Sequence, residues 1–427
     1  MITISNWTQQ NERFQRLLQR QGDIPPQVAV TVSEILQEVR TRGDAALFEY
    51  MKRFDQVDIE RDGLIVTAEE IAEAKARVPK EFAEAVKRAC DNIFAYHQKQ
   101  KLNDYQHEYE DGVRLQRKYV PLSKVAVTVP GQMAPLFSTL YMNVIPARVA
   151  GVPEIYVITK PTAGKIDDRI LYTADYLGVT AVYKISGAQG IAAVAYGTES
   201  VKKVDAIVGP GNNYTQMAKK LLYGQVKIDS LAGPSEIAIL ADESANPTLV
   251  AADLLSQAEH GTGYEASTVF CLSQEKAKQI AGEVERLVTQ HNLQAPIRSL
   301  ENYGDIFVVD SLETGIAAIN QIAPEHAEVL TAQPSLDATK ITNAGAIFVG
   351  AYSPEPVGDY FCGSNHVLPT CGTARFSSGL SVLDFMRGYS VIEYTREALA
   401  KNSEHIQVLA QTEGLAAHAL SVAVRGD

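Results

Sequence analysis

The feature that most constrains the fold is a succession of short apolar, β-branched segments between Lys124 and Ala351, each set off by a helical stretch. KVAVTVP (124–130), EIYVITK (154–160), AVYKIS (181–186) and DAIVGPG (205–211) form a first series. Ala- and Leu-rich stretches such as DDRILYTADYLG and GIAAVAYG separate them. EIAILAD (236–242), STVFCLS (267–273), DIFVVDS (305–311), AEVLTA (327–332) and GAIFVGA (345–351) form a second series. Strand–helix alternation of this kind is the rhythm of a parallel sheet. Two series predict two α/β sheets, with a boundary near Ser230–Glu236.

The flanks read differently. From Asn11 to about Gln100 the periodicity is helical, with a break at Gly43 and a continuation past Pro79. Trp7, the only tryptophan, reads as a packing residue, and His97 and His107 sit in polar sequence with no role assigned. The last forty or so residues (SVLDFMRGYSVIEY, REALAKNSEHIQVLAQ, GLAAHALSVAVR) read as a helical tail without a core of its own.

Charge narrows the function. Lys plus Arg number 39 against 51 Asp plus Glu, a net charge of −12 over 427 residues. That balance argues against a nucleic-acid surface and for a cytoplasmic protein with a small substrate. The opening MITISNWTQQ has no basic segment followed by an apolar core, and no run reaches membrane-spanning length. Cys90, Cys271, Cys362 and Cys371 show no CxxC spacing, so neither a disulfide scaffold nor a thiolate zinc site is expected.

Chemistry concentrates in four stretches. In Ala232–Gly263, Ser235 follows a Gly-Pro turn, and a helix with Asn246 as N-cap and Pro247 at its first position carries Gln257 and His260. Three residues apart, these share a helical face and suit two arms of a metal site, or simply a polar helix end. In APEHAE, Pro324 places Glu325 and His326 near a helix N-terminus or in a tight turn, where a carboxylate and a neutral imidazole could act as two separate bases. GDYFCGSNHVLPT (358–370) is a long polar loop offering Asp359 as a hard-oxygen ligand and His366 as a ligand or substrate contact. In TEGLAAHALS, Glu413 and His418 lie five apart, off a common helical face. Gly-rich turns at strand ends (VPGQMAP, ISGAQGIA, VGPGNNY) suit a nucleotide crevice without a GxGxxG fingerprint. From residues alone, a zinc hydrolase in which Glu325 activates water is as open as an oxidoreductase.

Taken in order, GPGN, AGPSE, DLLSQAEHG, PEH, GDY…G.NHVLPT, TARFSS and EGL.AH resemble the histidinol dehydrogenase family from about Asp23 to Arg425. The resemblance implies two incomplete Rossmann-like domains from an α/β repeat, small helical N- and C-terminal parts and an intertwined homodimer. The implied division is an arm at 1–22, a discontinuous metal and catalytic domain at 23–112 and 236–380, a cofactor domain at 113–235 and a tail at 381–427. It implies one zinc ion per subunit on Gln257, His260, Asp359 and His418, with Glu325 and His326 as the catalytic pair. Substrate contacts fall on Ser235, Glu413 and His366, besides the zinc ligands and His326. Cofactor contacts fall on Thr128, Gln189 and Asn212. The implied reaction oxidises L-histidinol twice with NAD, in active sites shared between subunits through Glu413 and His418, with no nucleic acid or membrane partner. Departures cluster at the cofactor end: Thr128 replaces the usual aromatic residue, Gln132 the second glycine, Gly190 the usual alanine, and Asn213 follows GPGN. They leave as alternatives a paralogue acting on another polar alcohol, or one with impaired NAD binding.

Overall fold

The computed structural model describes residues 2–20, 24–130 and 135–425. Three sheets organise it. The larger contains β1 (Thr3–Asn6), β9 (Glu236–Ala241), β10 (Ala266–Cys271), β11 (Gly304–Val308), β12 (His326–Leu330) and β13 (Ala346–Val349), in the order β1-β11-β10-β9-β12-β13. All its pairings are parallel. The smaller contains β4 (Lys124–Val129), β5 (Glu154–Thr159), β6 (Ala181–Tyr183), β7 (Ala206–Val208) and β8 (Lys227–Ile228), in the order β6-β5-β4-β7-β8, also all parallel. β2 (Tyr105–His107), β3 (Val113–Pro121) and β14 (Met386–Tyr394) form an antiparallel sheet with β3 at its centre.

Both parallel sheets are covered on both faces, which is why their strands read as unbroken apolar runs. Along β9, Ile237 and Ile239 enter one core and Ala238 and Leu240 the opposite one. Along β4 and β5, Val125, Val127, Ile155 and Val157 face one way, and Ala126, Tyr156 and Ile158 the other. The period of two along each strand thus feeds two hydrophobic layers at once.

The expected domain division needs three corrections. Residues 23–112 do not join the larger sheet. Val32, Ile35 and Val39 of the Pro26–Arg42 helix pack with Tyr156 and Ile158, and Val86 and Ile93 of the Lys80–Gln98 helix pack with Val125 and Val127. Amphipathic periodicity shows that a helix buries a face; which sheet receives it is a long-range choice that the local pattern does not carry. Second, residues 1–22 are more than a helical arm: Thr3–Asn6 is an edge strand of the larger sheet, and Phe14 and Leu17 sit in its core with Trp7 against them. Third, Met386–Tyr394 is a strand, not a helix, pairing along its length with Val113–Pro121. Among the described residues no helix is long and apolar enough to cross a membrane.

Candidate active site

The catalytic candidates lie at the amino-terminal edge of the larger sheet. β9 opens at Glu236 just after Ser235, and β12 opens at His326, directly opposite Ile237 and Ala346. The Pro247–Ala258 helix connects two parallel strands, so its C-terminal end, with Gln257 and then His260, returns to that edge. His260 lies two residues past the helix end, beyond the shared helical face expected from spacing. Glu325 and His326 are not at a helix N-terminus either. Ala323, at φ 51°, closes the Leu312–Ile322 helix, and Pro324–Glu325 leads straight into β12, with Ala346 N–H donating to the Glu325 carbonyl (2.9 Å).

His326 is the centre of the site. Its Nδ1 lies 2.8 Å from Gln257 Oε1, an atom that can only accept, so the hydrogen bond assigns the proton to Nδ1 and a lone pair to Nε2. That Nε2 is buried without a partner and lies 3.9 Å from both Glu355 Oε1 and Asp359 Oδ1. Burial, with His260 nearby, holds the His326 pKa at about 3, so the ring is neutral. Glu325 Oε2 stands 3.8 Å from His326 Nδ1, outside hydrogen-bond reach, and accepts from the Glu236 backbone N–H at 3.1 Å. Burial, then the neighbouring Glu236 carboxylate, raises the Glu325 pKa well above its ordinary value.

Asp359 occupies the end of the short Glu355–Tyr360 helix, and its carbonyl accepts from His366 Nδ1 (2.9 Å). Burial lowers the His366 pKa to about 4. Four carboxyls that sequence reasoning left out join the cluster. Glu355 lies one helical turn before Asp359 and accepts from Ser256 Oγ (3.3 Å). Behind it Asp253 and Glu328 hydrogen-bond to each other, and burial pushes both of their pKa values up. Glu236 is buried against Arg20 (3.2 Å), which also donates to the Pro234 carbonyl (2.9 Å). The four-residue spacing of Glu355 and Asp359 was a readable signal; Glu236 and Glu328 sit inside apolar strands and gave none.

His326, Glu355 and Asp359 each bring a ligand atom within 4.8 Å of the others. His326 Nε2 and Glu355 Oε1 are acceptors buried without partners. Crowded carboxyls and imidazoles with unsatisfied polar atoms are chemistry that a divalent cation completes. Glu413 and His418 are not brought to this cluster within one chain. They line a groove with Ile406, Leu409, Ala410 and Leu415, between the Arg396–Thr412 and Ala416–Ala423 helices. Glu413 caps the first of these helices rather than opening the second.

The cofactor candidates gather at the carboxyl edge of the smaller sheet, where open α/β sheets bind ligands. Thr128 is buried near the end of β4, and a Cβ on Gly209 would meet the Thr128 carbonyl at 2.4 Å, so β4 and the GPGN turn touch only through glycine. Asn212 caps the Asn213–Leu222 helix, accepting from Tyr214 and Thr215 N–H (both 3.1 Å). Gln189 donates to Asp55 Oδ2 (2.9 Å). A Cβ on Gly190 would meet Ile185 at 3.4 Å, ordinary contact, so the glycine there opens no special space. Gln132 lies outside the described residues.

The sequence model of the histidinol dehydrogenase family matches residues 18–426. A histidinol dehydrogenase from Geobacillus kaustophilus is 48% identical over 396 residues, 92% of this chain and 93% of that one. One from Clostridium acetobutylicum is 45% identical over 414 residues, covering 96% and 95%. The crystal structure of histidinol dehydrogenase from Elizabethkingia anophelis superposes with a TM-score of 0.92 at 36% identity, covering 99% and 98% of the two chains. With fold and sequence in agreement over nearly its whole length, the chain belongs to the histidinol dehydrogenase family.

Proposed function

We propose that this chain oxidises L-histidinol through L-histidinal to L-histidine with two equivalents of NAD, as the last step of histidine biosynthesis. The observation that carries the reading is His326, a buried neutral imidazole with Nδ1–H tied to Gln257 and a free lone pair on Nε2.

Gln257, His260 and Asp359, with His418 of the partner subunit, would hold a zinc ion, which when bound orients the substrate's imidazole and amine as a Lewis acid. NAD, when bound near Thr128, Gln189 and Asn212, accepts hydride. In the first oxidation His326 Nε2 takes the hydroxyl proton as the carbinol C–H leaves as hydride, giving the aldehyde. In the second, Glu325, a strong base once it has lost its own proton because burial raises its pKa, takes a proton from water as the water oxygen adds to the aldehyde carbon. The resulting gem-diolate loses its C–H as hydride to the second NAD, which leaves the carboxylic acid, and this releases its proton to solvent as the carboxylate. Ser235, His366 and the partner subunit's Glu413 would fix the substrate's polar ends. Two bases that share no hydrogen bond suit two successive proton abstractions.

The reading includes an intertwined homodimer, because Glu413 and His418 lie away from the sheet cluster in their own chain. The division we favour, adjusted to the packing, sets residues 236–380 with the N-terminal strand on the metal side. Residues 24–235 form the cofactor side, and the C-terminal hairpin reaches the neighbour.

The test is NADH formation from L-histidinol and NAD with the purified chain, before and after chelation and with zinc restored. Two NADH per histidinol, lost on chelation and regained with zinc, is the expected result. Unchanged turnover after complete metal removal, or hydrolysis of an amide or ester without NADH, would overturn it.

A further inference from the structure

Arg20 takes no part in the reaction above, yet it is buried against the turn that carries Ser235 and Glu236. It lies just past the Glu12–Leu18 helix, and its guanidinium carbon sits 5.5 Å from the centre of the Tyr303 ring. One arm of the fork, Nη1, pairs with Glu236 Oε2 (3.2 Å). The other, Nη2, donates to the Pro234 carbonyl (2.9 Å) and, at longer range, to the Ser235 carbonyl (3.4 Å). The second Glu236 oxygen, Oε1, accepts from Cys371 N–H (2.8 Å), in a turn where Cys371 and Gly372 both have positive φ (54° and 76°).

The peptide unit joining Ser235 to Glu236 gives this grip its meaning. A trans peptide is planar and points its C=O and N–H in opposite directions. Here the C=O accepts from Ala266 N–H (3.1 Å) and from Arg20, while the N–H donates to Glu325 Oε2 (3.1 Å). β9 runs between β10 and β12, so the N–H at its opening faces β12 and goes to a side-chain carboxylate at the head of that strand. One peptide plane therefore fixes an oxygen of Glu325, and Arg20 holds that plane through the Glu236 carboxylate and the two carbonyls before it. A planar guanidinium fork sets the angle of what it holds as well as the distance. The His326 ring is tied to Gln257 instead and shares none of these contacts.

We propose that Arg20 is a positioning residue for the second oxidation: through the Ser235–Glu236 peptide it keeps the Glu325 carboxylate at the angle from which it takes the proton of the attacking water. The inference rests on the functional reading above and adds a residue of the N-terminal segment to the hydration step.

Supplied L-histidinal separates the two steps. With NAD it must add water before it is oxidised, whereas with NADH it takes hydride and a proton and returns to L-histidinol without water. Both directions are followed by NADH absorbance on the zinc-supplied full-length chain. Arg20→Met should lower kcat for the oxidation at least about tenfold and kcat for the reduction by less than about threefold, with KM for L-histidinal moving alike in the two directions. Arg20→Lys keeps a charge beside Glu236 without the fork, and its oxidation rate should fall between wild type and Arg20→Met. Urea midpoints show whether each variant is folded under the assay conditions. Should Arg20→Met not fold, Arg20→Lys carries the expectation, as a loss of at least about threefold confined to the oxidation. Equal losses in oxidation and reduction, or a change in KM alone, would overturn the proposal while leaving the functional reading intact. A wild-type chain that neither oxidises nor reduces L-histidinal would instead remove that reading and this inference with it.

Discussion

His97 sits in polar sequence that reads as surface, yet its ring is fully buried, with Nδ1 donating to the Ile93 carbonyl (2.8 Å) and Nε2 3.3 Å from the Asn365 amide. Asn365 in turn donates to the Met142 carbonyl (2.6 Å) and accepts from Val367 N–H (2.9 Å), so His97 helps anchor the loop that carries His366. Burial lowers the His97 pKa, so on acidification the unfolded chain binds the proton before the folded one. The stability His97 contributes is therefore complete above its ordinary value of about 6.5 and drains away as pH falls below it, toward the depressed folded value. Urea midpoints measured from neutral pH down through this window should fall more steeply for the wild-type chain than for His97→Gln; parallel curves would deny the residue that role. At the reacting end, His326→Asn should cut oxidation of L-histidinol by about 10²–10⁴-fold while sparing much of the oxidation of supplied L-histidinal. Glu325→Gln should do the reverse, and stopped-flow measurement of the two half-reactions separates them. Equal loss of both steps in both variants would end the division of labour. His326 and Asp359 stood out as candidates because turn residues frame them, whereas the anchoring contact of His97 was silent, because its partner lies 268 positions away.

At the scale of elements, all nine apolar runs read as strands between Lys124 and Ala351 contain strands, because a strand buried on both faces needs a continuous apolar run. Met386–Tyr394 escaped notice because it belongs to neither parallel sheet. Its residues from Tyr389 to Glu393 are all exposed, its hydrogen bonds go to Val113–Pro121, and an exposed strand lacks the solid apolar signature. The PEH segment shows a second limit: a proline before two polar residues marks a boundary, but here the boundary is the start of β12 rather than of a helix. Long-range ion pairs are equally silent in sequence. Lys219, fully buried on the Asn213–Leu222 helix, donates to the Gly209 carbonyl (2.9 Å) and pairs with Asp229, which accepts from Gly209 N–H (2.7 Å). The pair thereby clamps both backbone groups of the glycine that opens the GPGN turn. Lys219→Met strands the Asp229 carboxylate in the interior and should cost about 3–5 kcal/mol of unfolding free energy. Chemical denaturation checks this, and Asp229→Asn in the same chain should recover part of the loss.

At the scale of the whole molecule, the C-terminal hairpin leaves apolar side chains uncovered in the single chain. Leu409 is 69% exposed and Leu420 60%, on two helices whose substantial packing is against each other, and Val424, which caps the second, is 57% exposed. Ala- and Leu-rich sequence there reads as ordinary helix, so the tail was legible as helical but not as unpartnered. Apolar side chains held in water on an ordered element favour burial against another chain. The same element carries Glu413 and His418, the two expected site residues missing from the sheet cluster. If each site takes His418 from the neighbouring subunit and His326 from its own, subunits damaged at different residues must complement. His418→Ala and His326→Asn homodimers should each lack histidinol oxidation. When the two are unfolded together and refolded as a mixture, about half the dimers should be hybrids, each with one site carrying both lesions and one carrying neither. Histidinol-dependent NADH formation should then return to about a quarter of the wild-type level, a gain that sites confined to one chain have no way to produce. Sedimentation of the refolded mixture as dimers with no regained activity would assign His418 to its own subunit's site or to none.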